Sequence, residues 1–283
     1  MVEAPVRLGQ LLRDAAGRLR SAGVEEAARE ARLLWATASH SDAAAWQPTE
    51  SSVDVELQAA MESLLERRLA GAPLAHVTEL AGFRRLLLRS DSRGLIPRPE
   101  TEGLVELLLG RVSHGTVADL GTGSGCIALS LADEGNFDQV IGVDRSVEAL
   151  ALARHNRKLT RLPVELVAGD WLAPLRGQRF DALVSNPPYL TEAEYQGLER
   201  GVREHEPRGA LASGEDGLAD TRQLLRDGQM NLTPRGWLAM ELDCRRAAAS
   251  AELAREYGWM SVSVQDDLFG RARYLLAQRS ETA

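Results

Sequence analysis

The four consecutive residues Asn186-Pro187-Pro188-Tyr189 carry the most specific chemistry in the chain. Two prolines remove two backbone N–H groups and fix the direction of the chain. The carbonyls before and between them have no local partner, and the Asn186 side chain adds another acceptor. The result is a stiff acceptor pair for a planar NH2 group, with Tyr189 able to cover its face. That group could be an exocyclic adenine amine or a side-chain amide. A plain proline turn would not favour Asn before the prolines and Tyr after them.

The second constellation is Asp119-Leu120-Gly121-Thr122-Gly123-Ser124-Gly125, followed by a helical segment from Cys126 to Ala132. Glycine lets a chain turn sharply and lets a ligand approach the backbone. Such a turn at the end of a central strand is where open α/β sheets bind nucleotides. A dinucleotide loop would place its third glycine at 126, but that residue is Cys and the glycine comes one position early. An adenosine ligand without a pyrophosphate is therefore favoured over NAD. The next strand ends in Asp144, where a carboxylate can accept both ribose hydroxyls, while Ser146 is better placed to cap the following helix. A third strand ends in Gly169-Asp170-Trp171. Asp170 can accept from an adenine amino group and Trp171 can cover the adenine face.

The elements that must position these residues alternate. Short apolar runs at 117–120, 140–144, 164–167, 182–184, 237–242, 262–264 and 274–277 read as seven strands, with helical segments between most of them. This is an α/β pattern: a mostly parallel sheet covered on both faces. The first seventy residues differ. Leu8, Leu11, Leu12, Ala15 and Leu19 form one helical stripe, Val24 to Ala38 is alanine-rich, and Leu57, Met61, Leu64, Leu65 and Leu69 form another stripe stopped by Gly71 and Pro73. A small helical bundle is expected, with no reactive constellation in it; His40 and Trp46 fall in a polar loop. Between the two regions, Phe83 to Leu88 and Leu95-Ile96 are expected to pair as a hairpin around a turn at Ser90 to Gly94. This stretch carries Arg84, Arg85, Arg89, Arg93 and Arg98 against Glu79 and Asp91, and is expected to be a solvated linker rather than a docking edge for an anionic partner. The expected organisation is thus a helical domain over 1–75, a hairpin linker over 76–98 and an α/β domain over 99–283.

Composition narrows the function classes. A formal net charge of −8 argues against a protein that mainly grips nucleic acid. Lys158 is the only lysine, and the scattered arginines read as coding bias. No uninterrupted apolar stretch approaches the roughly 18 residues of a membrane span, and the N-terminal residues lack the basic-then-apolar order of a secretory signal. Cys126 and Cys244 cannot form a disulfide scaffold, and no Cys/His cluster has metal-ligand spacing. A cytoplasmic protein is expected.

The glycine loop, Asp144 and the Asn-Pro-Pro-Tyr turn together make the chain similar to class I S-adenosylmethionine-dependent methyltransferases acting on amide or amine nitrogen. More closely, it resembles the bacterial protein-(glutamine-N5) methyltransferases of peptide chain release factors. Leu95 to Glu102, with Ile96-Pro97-Arg98-Pro99, resembles that family's segment joining its two domains. Glu206-Pro207, Ala210-Leu211 and Gly214 to Leu218 match a further block, and Asp267 to Arg273 resembles the C-terminal signature. One departure follows the fifth strand. Where the family usually has Glu-Ile-Gly and then Gln, this chain keeps Glu241 but continues into Asp243-Cys244-Arg245-Arg246.

The resemblance implies a Rossmann-like seven-stranded methyltransferase domain behind a helical substrate-recognition domain. It implies S-adenosylmethionine as cofactor, held at Gly121, Thr122, Gly123, Ser124, Gly125, Asp144, Asp170, Trp171 and Asn186. The partners it implies are class I release factors, with neither a membrane nor stably bound nucleic acid. Asn186 and the Pro187 carbonyl would accept the two hydrogens of the glutamine amide, with Pro188 and Tyr189 completing the substrate site. No His or Glu adjoins the tetrapeptide, so positioning rather than a general base would do the work. A ribosomal-protein glutamine methyltransferase and an adenine-N6 methyltransferase of DNA or RNA share the tetrapeptide chemistry and stand as alternatives.

Overall fold

The computed structural model describes residues 6–281. Helix α1 (Leu8–Ser21) buries Leu8, Leu12, Ala15 and Leu19, one face at helical spacing. Helix α2 (Ala27–Ala38) buries Leu34 and Trp35. Asp54 caps α3 (Val55–Leu69) by accepting from Leu57 N, and Met61 and Leu65 are its buried residues. Gly71, at φ +100, ends that helix, but Pro73 does not leave a loop behind it: a further short helix, α4 (Leu74–Thr78), begins there. These helices share one apolar core. They form one compact unit that runs to Glu79 and includes a later segment, Arg200–His205.

The second unit takes the remainder, Leu80–Glu199 and the chain from Glu206 onward. It opens with an antiparallel hairpin, β1 (Leu80–Phe83) and β2 (Leu86–Arg89), in which Phe83 faces Leu86. The expected strand over 83–88 is thus broken by a tight turn at Arg84-Arg85, and Leu95-Ile96 is not a returning strand. The reason is side-chain rather than turn chemistry. Arg84 stands at φ +50, and its backbone N–H donates to Glu102 while its guanidinium pairs with Glu134 and Glu106. Acids of neighbouring elements hold a left-handed residue where a sequence reader looks for Gly or Asn.

From α5 (Pro99–Leu109) the chain alternates: β3 (His114–Leu120), α6 (Cys126–Glu134), β4 (Asn136–Asp144), α7 (Val147–Thr160), β5 (Val164–Ala168) and β6 (Phe180–Ser185). Helices α8 (Glu192–Gln196), α9 (Arg200–His205, the segment belonging to the first unit) and α10 (Ala219–Gly228) follow. The chain closes with β7 (Leu232–Glu241), α11 (Ala247–Glu256), β8 (Met260–Asp266) and β9 (Ala272–Gln278). The 7-stranded sheet has the order β5-β4-β3-β6-β7-β9-β8. Its β3 to β7 pairings are parallel and β9 is antiparallel to both neighbours.

Side-chain alternation along the strands gives the sheet two apolar faces. Leu120, Ile141, Leu183 and Leu238 pack with α10 and α11, while Val117, Val140, Val184 and Ala239 pack with α5 and α6. Burial on both faces is why these strands read as short continuous apolar runs. Among the described residues no helix is long and apolar enough to cross a membrane.

Candidate active site

Strand order reverses between β3 and β6, which lie side by side although β4 and β5 intervene in sequence. A crevice opens at the carboxyl ends of the strands at such a point. Ser185 ties the two strand ends together, its hydroxyl donating to Leu120 O at 2.6 Å. The glycine loop leaves β3 there and the Asn-Pro-Pro-Tyr turn leaves β6.

The loop is anchored from below by Asp119, a fully buried carboxylate. One of its oxygens accepts from Thr122 Oγ1 at 2.6 Å and from Ala128 N at 3.2 Å. Burial pushes this carboxyl up to about 7. Gly121 stands at φ +76, and a Cβ on it would come 3.1 Å from the Trp171 ring, so any larger residue strains both loop and wall. From the side the loop is held by Asn156 of α7, whose amide donates to Ser124 O and to Arg89 O and accepts from Arg89 N. The same residue therefore joins β2 to the glycine loop.

Asp144 ends β4, half-buried. One carboxylate oxygen accepts from Gly123 N at 2.8 Å and the other from Ser146 N at 2.9 Å. Ser146 caps α7 by accepting from Ala149 N, as its position suggested. Two of roughly four lone-pair sites on the Asp144 carboxylate remain for a ligand. Asp170 is exposed and Trp171 is buried after β5. Trp171 has φ +46, a left-handed conformation that a bulky residue adopts only under constraint from its surroundings.

Gly121, Thr122, Gly123, Ser124, Asp144, Asp170, Trp171, Asn186 and Pro188 line one cavity. Gly125, Pro187 and Tyr189 are not part of that lining. Gly125, at φ +83, caps α6 and packs against Leu129 and Ala153. Pro187 is buried. Tyr189 is half-buried and held by its backbone, its N–H donating to Leu211 O; burial pushes its phenol up to about 12.

Sequence reasoning missed an entire wall. Arg93, Gly94, Leu95, Ile96, Pro97, Arg98 and Thr101 line the same cavity. The segment expected to be a solvated linker is in fact folded against acids. Arg93 pairs with Asp91, and Arg98 pairs with Glu206 at 2.5 Å. Glu206 also accepts from Ile96 N. The cations are balanced within this unit, which removes the reason to read them as a docking edge. The spacing of Ile96-Pro97-Arg98-Pro99 in front of a helix was a usable signal, because two prolines one residue apart mark extended chain that can line a crevice.

Asn186 has a further pair of partners. Its amide nitrogen donates to Thr101 Oγ1 at 3.1 Å, and that hydroxyl donates to Glu241 at 2.7 Å. Glu241 ends β7 and is 2% exposed; burial pushes it up to about 7, with the Thr101 hydrogen bond and Arg273 acting the other way. Cys126 also reaches the cavity wall, but burial pushes its thiol up to about 12, so it remains a neutral, inert group. The departure at Asp243 to Arg246 forms a short helical turn, with Asp243 accepting from Arg245 N. Arg246 reaches from it to Asp216 O and to Glu194 of α8, crosslinking the chain that follows Tyr189.

The donor and acceptor set suits an adenosine-type ligand with a cationic end. It combines a carboxylate with spare acceptor sites, apolar walls from Leu95, Ile96 and Ala149, an indole at the strand edge, and a backbone loop without Cβ atoms at Gly121 and Gly123.

Comparison with known proteins agrees with this geometry. Residues 99–202 match the family described as Methyltransferase small domain, and residues 10–78 match that described as PrmC N-terminal domain. A release factor glutamine methyltransferase of Deinococcus radiodurans is 40% identical over 281 residues, covering 97% of this chain and 99% of its own. One of Moorella thermoacetica is 40% identical over 282 residues, with the same coverage of both chains. Among solved structures, a methyltransferase from Pyrococcus furiosus superposes with a TM-score of 0.54 at 21% identity, covering 77% of this chain and 99% of that one. That likeness shows the shared fold alone. Nearly full-length identity at this level, together with the crevice described above, makes this chain a member of the release factor glutamine methyltransferase family.

Proposed function

We propose that this protein transfers the methyl group of S-adenosylmethionine to the side-chain amide nitrogen, N5, of the glutamine in the Gly-Gly-Gln motif of class I peptide chain release factors. The observation that carries the reading is the position of Asn186, which lines the same cavity as the glycine loop and Asp144. An amide acceptor and a nucleoside crevice thus share one space.

Bound S-adenosylmethionine supplies an electrophilic methyl group on a sulfonium. The chain's own residues do the rest. The loop from Gly121 to Gly125 lies beside the amino-acid end, Asp144 accepts from the ribose and Trp171 covers the adenine, with Asp170 at the same edge. Asn186 and the Pro187 carbonyl accept the two hydrogens of the glutamine amide, and Pro188 and Tyr189 close the site around it. A primary amide nitrogen is a poor nucleophile because its lone pair is delocalised. Holding both hydrogens favours the pyramidal nitrogen that develops during transfer, and acceptors that grip a nitrogen becoming cationic bind the transition state better than the ground state. Once the nitrogen is cationic its proton is strongly acidic and passes to water, so no strong general base is needed.

The helical region over 1–75 recognises the protein substrate in this reading, since it holds an apolar core and no part of the cavity lining. Purified class I release factors, incubated with the protein and isotopically labelled cofactor, should gain one methyl group on the Gly-Gly-Gln glutamine by mass spectrometry. A label on a ribosomal protein or on nucleic acid instead would sink the assignment.

A further inference from the structure

We infer that Thr101 and Glu241 are positioning residues for methyl transfer: together they fix which end of the Asn186 carboxamide faces the substrate. The inference rests on the reading of Asn186 as acceptor for the glutamine amide. An asparagine carboxamide has nearly the same shape when turned half round, but the two orientations are chemically opposite. One presents a carbonyl oxygen to the cavity; the other presents an NH2 donor. A donor facing the substrate's own NH2 makes no hydrogen bond and repels a nitrogen becoming positive. Asn186 works only in the first orientation, and nothing in the tetrapeptide itself selects it.

The selection comes from two elements remote in sequence. Thr101, in the first turn of α5, and Glu241, at the end of β7, are each 2% exposed. Asn186 Nδ2 stands 3.1 Å from Thr101 Oγ1, which stands 2.7 Å from Glu241 Oε2. A hydroxyl has one proton to give. When the Glu241 carboxylate takes that proton, Thr101 faces Asn186 with lone pairs only. The group of Asn186 that can meet lone pairs is NH2, which leaves Oδ1 for the substrate. Turning the amide would set its oxygen against the Thr101 oxygen, two acceptors with no proton between them, while Thr101 keeps its bond to Glu241.

A purely structural role for Glu241 does not explain its chemistry. A buried carboxylate opposes its own ionisation, and Thr101 could be satisfied equally well by a neutral acceptor of the same size. What an anion adds is direction: it accepts and cannot donate. A glutamine there could present either end to Thr101, and the orientation of Asn186 would no longer be determined.

The test is single-turnover methylation of a whole release factor by Thr101→Val, Thr101→Ser, Glu241→Gln and Asn186→Ala at pH 8, with cofactor affinity measured by calorimetry. Thr101→Val keeps the shape and removes the hydroxyl. Its transfer rate should fall about tenfold to a hundredfold, as expected for a misplaced group at a reacting centre. Its cofactor affinity and its KM for the release factor should stay within about twofold, since the orientation matters in the transition state. Thr101→Ser should recover most of the rate, and Glu241→Gln should lie between the two. A wild-type rate in Thr101→Val alongside a crippled Asn186→Ala overturns this inference and leaves the amide reading standing. A wild-type rate in Asn186→Ala overturns the amide reading itself. If Thr101→Val loses cofactor affinity in step with rate, or if Thr101→Ser is no better, the pair is structural and the inference fails. Should Thr101→Val not fold, a Glu241→Gln enzyme with undiminished rate overturns it equally.

Discussion

In the proposed reaction, Asn186 is where the chemistry is most exposed to a single atom. Asn186→Ala should bind cofactor almost normally and lose about a hundredfold to a thousandfold in single-turnover rate, the usual cost of one electrostatic contact made in the transition state. Asn186→Asp keeps the acceptor oxygen, replaces the NH2 by a second one and sets another anion near the ionised Glu241, and a failure of that variant too would show that a neutral carboxamide is required. Glu241 sets a pH signature at the same scale. Its folded value of about 7 lies above the 4.5 of a free glutamic acid. Burial is the cause; Thr101, Arg273 and Arg98 favour the anion, and Glu100 opposes it. Below about 7 a protonated Glu241 can donate to Thr101, and Asn186 loses its fixed orientation. The transfer rate should therefore climb between pH 6 and pH 8 in the wild type and run flatter in Glu241→Gln. Parallel profiles for the two enzymes would remove Glu241 as the source.

At the scale of elements, the glycine loop depends on three others to stay in place. Asp119 of β3 holds it from below, Asp144 of β4 bonds Gly123, and Asn156 of α7 bonds Ser124. The carboxylate proposed to accept from the ribose thus also fixes the loop beside it. Asp144→Ala should weaken cofactor binding by more than the roughly 1.5–3 kcal/mol of one hydrogen bond to a charged group. Asn156 does not itself line the cavity, so Asn156→Ala should weaken binding less, through its bond to Ser124 of the loop alone. Calorimetry on the two variants checks the order; an unchanged affinity in Asp144→Ala would remove it from the cofactor site. The hairpin belongs to the same scheme. Arg84 binds it to α5 and α6 through Glu106 and Glu134, and Asn156 binds it to the loop, so the cavity wall that follows is carried on a fixed strand.

For the molecule as a whole, the two compact units predict separable effects of mutation. Leu34 is fully buried in the helical unit, and Leu34→Ala should cost about 2–5 kcal/mol there. Every residue lining the cavity belongs to the other unit, so cofactor affinity should be retained while methylation of whole release factors declines. Loss of cofactor binding in that variant would mean the units are not energetically separable. Buried acids give the second unit a characteristic pH response. Folded Glu241 and Asp119 keep their protons up to about 7, whereas free acids release them at 4.5 and 3.8. Unfolding then releases protons throughout that interval, so stability falls as pH rises through it and levels off above about 7. For Glu241 the fall is on the order of 3 kcal/mol. Asp91 and Asp216, held near 2 by Arg93 and Arg222, act in the opposite direction but only below their ordinary value of 3.8. Urea unfolding at pH 5 and pH 8 should therefore show a loss in the wild type that shrinks in Glu241→Gln.

The amino-acid sequence alone determined what is local. Short apolar runs placed all seven strands of the sheet, because strands buried on both faces need no polar alternation. Gly121, Gly123, Asp144, Asn186 and Pro188 fall at one crevice, because each lies within a few positions of a strand end. The tertiary structure decided the contacts made across elements. The turn at Arg84-Arg85 has no glycine or asparagine to announce it, since its left-handed residue is held by Glu102, Glu106 and Glu134 from two helices. The role of residues 93–98 as a cavity wall depended on Glu206, more than a hundred positions away. Thr101 meets Asn186 across 85 positions and Glu241 across 140. Those meetings are set by the pairing of β6 with β7 and by the packing of α5 on the sheet, and no periodicity or motif within one segment encodes a register between three.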